Sequence, residues 1–310
     1  MGEKKNNPYV NIIMNCHNGE KFIEKSINSI LKQNYTNYEV IFYDNNSNDK
    51  SAYIIKSKIK KLIYYKTNIT ENLGTARKNA LEKAKHKYVA FLDCDDCWYP
   101  NHLEKAVDFL ENNQNYNLTY NNVSLIDDKE KVIKKKIFKY LKPSGNIFKE
   151  LLSGYFLTIA TVVIRNDFIK KNNLNFNEKY NFINDVDLFT RISYLTNIKY
   201  LNSISARVRI HNNRLTTKNF FSFYDEHIDY LNDLKLKIKN FENKYENEIA
   251  ILKNNLNYRQ SLLEWKLKKY SDSRKRLIEC SKNKSKYIIV FLLTYFIEYE
   301  MFRKLFIKNL

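Results

Sequence analysis

Glycine and proline are scarce in this chain of 310 residues, at 5 and 3 copies. Turns must therefore be built from other residues, and asparagine is the expected substitute because it tolerates the left-handed backbone best after glycine. The four cysteines, Cys16, Cys94, Cys97 and Cys280, have no spacing that suggests a disulfide framework. That excludes a small disulfide-stapled scaffold and points to a reducing compartment. Residues 1–11 are polar and charged and lack the apolar core of a signal peptide. No window approaches the roughly 20 apolar residues of a spanning helix; the nearest, residues 287–296, is too short. A cytoplasmic location is the expectation.

What is present is enough for a sizeable core. Hydrophobic residues make up 44%, which disfavours disorder and suits one large α/β domain with a smaller appendage. The formal net charge is +19. Such a surface favours anions: nucleic acid, acidic lipid headgroups or phosphorylated substrates.

Short β-branched and apolar runs alternate with stretches of helical spacing. Strands are expected at residues 10–14, 39–43, 62–65 and 88–92, and helices at 21–33, 50–60 and 75–85. This β-α-β-α-β-α-β order implies right-handed crossovers and a mostly parallel sheet flanked by helices. Ligands bind such sheets beyond the carboxyl ends of the strands, where Asp44 and Asp93 both fall. Further on, a helix at 103–112, a hairpin of strands 118–126 and 131–138 around Asp127-Asp128, an apolar strand at 156–165 and a helix at 185–195 are expected. From about residue 220 the chain turns to long helical stretches rich in Lys, Glu and Leu. The expected organisation is an α/β domain over 1–217 and a helical C-terminal region over 218–310.

Residues 88–96 carry the strongest local signal, Tyr-Val-Ala-Phe-Leu-Asp-Cys-Asp-Asp. A buried strand delivers Asp93, Asp95 and Asp96 to the sheet edge. Clustered carboxylates repel unless a cation sits among them. Oxygen ligands suit Mg²⁺ or Mn²⁺, which share their shell with substrate phosphates. The competing interpretation is a helix N-cap after a strand.

The chain resembles the family 2 glycosyltransferases, inverting enzymes of the GT-A fold, from about residue 10 to 211. The resemblance rests on Val10-Asn11-Ile12-Ile13-Met14-Asn15-Cys16-His17-Asn18-Gly19-Glu20, on Ser29-Ile30-Leu31-Lys32-Gln33-Asn34-Tyr35, and on Glu71-Asn72-Leu73-Gly74-Thr75-Ala76-Arg77-Lys78-Asn79. It continues in Asp93-Cys94-Asp95, which matches the Asp-x-Asp motif, and in Trp98-Tyr99-Pro100. The resemblance implies a nucleotide-sugar donor, with a UDP-sugar expected. It gives Asp44 to the nucleotide base, Asp93 to the ribose or metal shell and Asp95 to the metal. Arg77 would lie near the base or diphosphate, where its fork geometry suits phosphate. Asn184-Asp185-Val186-Asp187-Leu188 resembles the family's base-bearing segment and makes Asp185 the base that deprotonates the acceptor hydroxyl, with Asp187 ranked second. His211, in Arg209-Ile210-His211, matches an Arg-x-His element near the metal or diphosphate. Gly74 suggests a backbone requirement.

The chain departs from the pattern at Asp44-Asn45-Asn46-Ser47-Asn48-Asp49, where asparagines replace an acid and the turn glycine, and at Asn184, where the family often has Glu. Cys94 and Cys97 form a C-x-x-C, but with no second pair and no nearby His they are expected to pack as small apolar residues rather than bind zinc. In the tail, lysines and arginines from 266 to 286 precede the apolar residues 287–296. That order reads either as an anionic-membrane anchor on the inner face, suited to a lipid-linked saccharide acceptor, or as a helix packing on protein. The remaining alternatives are a non-catalytic scaffold and a basic nucleic-acid-binding protein; no nucleic-acid module is recognisable, so no nucleic-acid partner is expected.

Overall fold

The computed structural model describes residues 7–211, 220–282 and 284–306. The chain divides into two compact units, Met1–Phe148 with Phe156–Arg214, and Lys149–Tyr155 with Leu215–Leu310. The boundary expected at 217 lies outside the described residues.

In the first unit, β1 (Val10–Cys16), α1 (Ile23–Leu31), β2 (Tyr38–Asp44), α2 (Ser51–Lys58), β3 (Leu62–Lys66), α3 (Leu73–Glu82) and β4 (Tyr88–Phe91) follow one another as the alternating pattern requires. Then come β5 (Cys97–Trp98), α4 (His102–Asn112), β6 (Tyr116–Ile126) and β7 (Val132–Lys134). After α5 (Phe148–Ser153), which passes into the second unit, come β8 (Val163–Arg165), α6 (Asn166–Lys171), α7 (Asn184–Leu195) and β9 (Asn197–Arg209). The strand order is β3-β2-β1-β4-β8-β6-β9-β5, with β7 paired to β6. β3, β2, β1 and β4 are parallel. Beyond β4 the sheet is mixed: β8 is antiparallel to both β4 and β6, whereas β6 and β9 are parallel.

In the parallel half β1, β2 and β4 are largely buried, as their continuous apolar runs demand, whereas β3 at the sheet edge is only partly buried. Val10, Ile12 and Met14 of β1 pack with Val40 and Phe42 of β2 and with Tyr88 and Ala90 of β4, while Ile13 is buried on the opposite face of the strand. Helix α1 buries Ile23, Ile27 and Ile30, spaced at three and four residues. Asn11, buried in β1, accepts from the backbone N–H groups of Lys85 and His86, both at 2.8 Å, and so holds the loop into β4.

The turns bear out the role expected of asparagine. Among the described residues, Asn18, Asn46, Asn173 and Asn240 all have positive φ. Asn46, at 60°, takes the place of the missing turn glycine. The expected hairpin after β6 is present but short. Asp127 closes it by accepting from the N–H groups of Lys129 and Lys131, each at 2.9 Å. The long strand expected at 156–165 is reduced to β8. Its first half forms a 3-10 turn at Ile159–Thr161, where the Thr161 hydroxyl donates to the Thr158 carbonyl and Trp98 Nε1 donates to the Ala160 carbonyl.

The second unit is helical: α8 (Phe220–Lys237), α9 (Phe241–Lys244), α10 (Glu246–Lys266), α11 (Tyr270–Ser281), α12 (Lys286–Leu293) and α13 (Tyr299–Phe306). Trp265 is buried and packs against Phe302 with ring centroids 4.8 Å apart. Arg276 ties α11 to α10 through Glu264, at 2.9 Å.

Candidate active site

The parallel register brings the functional strand ends to one edge. Cys16, the last residue of β1, pairs with Asp44, the last of β2, and Asp93 follows the end of β4 on the other side of β1. Asp44 is fully buried and both of its oxygens are engaged. One accepts from the Ser47 N–H at 2.8 Å, the other from the Tyr64 hydroxyl at 2.6 Å. Burial and that bond to Asp44 raise the Tyr64 phenol well above its ordinary pKa. Asp44 thus anchors the turn through one hydrogen bond to each oxygen, which leaves each carboxylate oxygen a further lone pair. Next to it, Asn45 accepts from the Glu71 N–H and donates to the Glu71 carbonyl, at 2.8 and 2.9 Å. The sequence reading named Asn45 only as a departure; its amide joins the β2 turn to the loop before α3, which a carboxylate could not do in both directions.

Helix α3 is pinned at its N-terminus. Asn72 caps it by accepting from the Thr75 N–H at 2.8 Å, and the Asn181 side chain accepts from the Leu73 N–H at 2.8 Å. Gly74 is needed for close approach rather than for an unusual φ. A Cβ there would lie 2.2 Å from the Tyr180 carbonyl oxygen and 2.5 Å from that of Asn177. One turn on, the buried Arg77 donates through Nη2 to both Asp93 oxygens, at 2.9 and 3.0 Å, and through Nη1 to Asn184 Oδ1 at 2.8 Å. Arg77 therefore joins the end of β4 to the start of α7.

Asp95 faces the other way. His211 Nε2 lies 2.9 Å from its Oδ2, and the His211 ring packs against Phe22 at 5.1 Å. Beneath this pair is Arg209, whose side chain is fully enclosed. It donates to the backbone carbonyls of Asp95 and Asp127 at 3.0 and 2.9 Å, and its own N–H donates to Asp96 Oδ1 at 2.9 Å. The Arg-x-His element carries this residue as well as His211: an arginine two positions before the histidine at a strand end is its sequence signal.

The set of Asp93, Asp95 and His211 expected to hold a metal is not assembled as one cluster. Among the described residues, no three His, Cys, Asp or Glu side chains are grouped to hold an ion. The Arg77 guanidinium draws the Asp93 carboxylate to itself, which leaves Asp95 and His211 as a two-residue donor pair. A pair of that kind suits a divalent cation whose other ligands are diphosphate oxygens and water.

Of the two acids at the start of α7, Asp187 is buried and forms an ion pair with Arg191, at 2.6 and 3.0 Å. Asp185 is partly exposed, one residue from the Arg77-bound Asn184. The cysteines hold no zinc-like group among the described residues. Cys94 is set against Cys16, not Cys97: a Cβ on Gly19 would lie 2.8 Å from each of their sulfurs. The hydrogen bond between the two thiols lowers the Cys16 pKa, and with burial it drives that of Cys94 well above its ordinary value.

Comparison with known proteins gives this arrangement its context. Residues 11–179 match the family described as glycosyl transferase family 2. An uncharacterized glycosyltransferase of Methanocaldococcus jannaschii is 32% identical over 193 residues, covering 59% of this chain and 64% of that protein. The Escherichia coli UDP-Glc:alpha-D-GlcNAc-diphosphoundecaprenol beta-1,3-glucosyltransferase WfgD is 32% identical over 156 residues, covering 50% and 59%. The match thus spans about six tenths of these relatives' length. Among solved structures, S. aureus TarS (residues 1–349) in complex with UDP-GlcNAc superposes with a TM-score of 0.67 at 20% identity, over 88% of this chain and 80% of that one. The mannosyltransferase PcManGT of Pyrobaculum calidifontis, in complex with GDP-Man and Mn²⁺, gives 0.61 at 12%, over 98% and 89%. These likenesses agree with the expected GT-A architecture, and the family match covers more than half of the sequence: the chain belongs to glycosyl transferase family 2.

Proposed function

We propose that the protein transfers a sugar, with inversion, from a nucleotide-diphosphate sugar to an acceptor hydroxyl of a glycan or lipid-linked saccharide, and that the donor is a UDP-sugar. The observation that supports this best is the Arg77 bridge, which sets the donor-side carboxylate Asp93 beside the helix start bearing Asp185. Arg77 and Asp93 hold the nucleotide, with Asp93 toward the ribose. Asp44 and Asn45 shape the loop that receives the base. Asp95 and His211 would hold Mn²⁺ or Mg²⁺, and such an ion neutralises charge on the departing diphosphate. Asp185 accepts the proton of the attacking hydroxyl from the face opposite the leaving group. The relatives support the donor class: WfgD carries UDP-Glc in its name, and a TarS structure holds UDP-GlcNAc.

The test is release of nucleotide diphosphate from a panel of UDP-, GDP- and TDP-sugars, with and without Mn²⁺, by the wild type and by Asp95→Asn. Metal-dependent release from one donor, lost in the variant while the fold survives, supports the assignment. Wild-type turnover in the variant would remove Asp95 from the metal site. Neither release nor calorimetric binding of any donor would favour a non-catalytic scaffold.

A further inference from the structure

Helix α12 and the turns that continue it present an exposed apolar face, with the Arg274 guanidinium over the Tyr295 ring, 3.5 Å from its centroid. Ile288, Ile289, Leu292, Tyr295 and Phe296 are spaced to lie on one side of a helix, and they are between 47% and 80% exposed. The helical path persists past the end of α12: the N–H groups of Tyr295 and Phe296 donate to the carbonyls of Leu292 and Leu293, at 3.0 and 3.1 Å. The opposite side is tied down. Tyr287 is buried against Tyr258 with ring centroids 4.7 Å apart, and Arg274 donates to the Thr294 hydroxyl and carbonyl, both at 2.9 Å. The exposed face is therefore held in place by the unit that carries it and is not a frayed end.

The charge around this face is positive. Lys282, Lys284 and Lys286 lead into it and are all exposed. Between residues 266 and 306 the sequence has eleven Lys and Arg against four Asp and Glu. No helix among the described residues is long and apolar enough to cross a membrane. An apolar face with a basic approach, too short to span, matches a bilayer surface whose headgroups are anionic and whose acyl region lies just below. A second copy of the chain fits less well, because pairing two such faces would bring their lysines together.

We propose that the face formed by Ile288, Ile289, Leu292, Tyr295 and Phe296 docks the protein on an anionic lipid bilayer, with Lys282, Lys284 and Lys286 at the headgroups. Phe296 and Ile289, the two most exposed of the five, enter the acyl boundary. The proposal does not depend on the transferase assignment, since binding is read without donor or acceptor.

The experiment is flotation of the full chain with vesicles of phosphatidylglycerol and phosphatidylcholine, compared with phosphatidylcholine alone. The wild type is expected to float with the anionic vesicles and to be released by salt. Ile289→Ser/Phe296→Ser is expected to lower partition about tenfold. Lys282→Ser/Lys284→Ser/Lys286→Ser is expected to lower it about a hundredfold. All of these side chains are exposed, so the variants should keep the wild-type circular dichroism melt, which is checked alongside. Three outcomes overturn the proposal: no flotation of the wild type, flotation equal on neutral vesicles, or flotation indifferent to both variants. A fourth is a stable dimer in sedimentation that Phe296→Ser abolishes, which would assign the face to a second copy.

Discussion

Arg77 spans two elements with one guanidinium, giving Nη2 to Asp93 and Nη1 to Asn184. A planar fork can hold both at fixed angles, whereas a lysine ammonium is a point charge on a flexible stem. Arg77→Lys should therefore keep the charge and lose the alignment. The expected cost is about 2 kcal/mol in transition-state stabilisation, or about 30-fold in kcat/KM for the donor. Steady-state kinetics on the donor checks this, and unchanged kcat/KM would mean that the bridge does not organise the reacting groups.

The two acids of α7 should separate cleanly. Asp187 is enclosed and paired with Arg191, so Asp187→Asn should destabilise the fold by about 3 kcal/mol, through an uncompensated buried charge. Asp185→Asn should lower transfer while donor binding persists. Denaturant unfolding, donor calorimetry and turnover measured on both variants would show whether the roles are reversed.

Gly74 has room for a hydrogen only. Because the atoms in the way are the backbone oxygens of Tyr180 and Asn177, Gly74→Ala cannot be relieved by a side-chain rotation. A loss of about 1–3 kcal/mol is expected, as for overpacked sites. The separation of α3 from the 177–181 segment should weaken donor binding as well. A thermal melt that matches the wild type would show that the segment yields.

Stability should fall in mild acid for a local reason. His102 packs against Trp98 with ring centroids 4.7 Å apart, its ring nitrogens have no hydrogen-bond partner among the described residues, and burial pushes its pKa down to about 3 from 6.5. Between those values the unfolded chain binds the proton and the folded one does not, so stability rises with pH across the window. It is lost as pH falls from about 6.5 toward 3, at about 1.4 kcal/mol per pH unit. His102→Phe keeps an aromatic ring against Trp98 and removes the titration. Its unfolding free energy should depend less steeply on pH between 6 and 4, within the titration window, and an unchanged slope would place the sensitivity elsewhere.

Much of the fold is legible in the sequence. The first four strands and three helices appear within a few residues of their expected bounds, because each alternates a buried apolar run with helical spacing, and both periods are local properties. The aspartates after β2 and β4 were placed at one edge by the same argument. The interpretation weakened past residue 100, where the sheet becomes mixed. The pairing of β8 with β4 and β6 depends on contacts between segments more than 40 residues apart, and no local period records which of two short apolar runs will be hydrogen-bonded into a ladder.

Residue types and their spacing by themselves determined the alternating parallel core, the use of asparagine in left-handed turns, and the supply of carboxylates at the strand ends. Tertiary structure alone decided what each carboxylate faces: Asp44 is held by Tyr64 and Ser47, Asp93 is turned to Arg77, Asp95 is paired with His211, and Asp187 is consumed by Arg191. The physical reason is that strand and helix periods follow from the backbone geometry of neighbouring residues. The partner of a charge is instead chosen by whichever donor the fold carries to within hydrogen-bond distance, however remote in sequence.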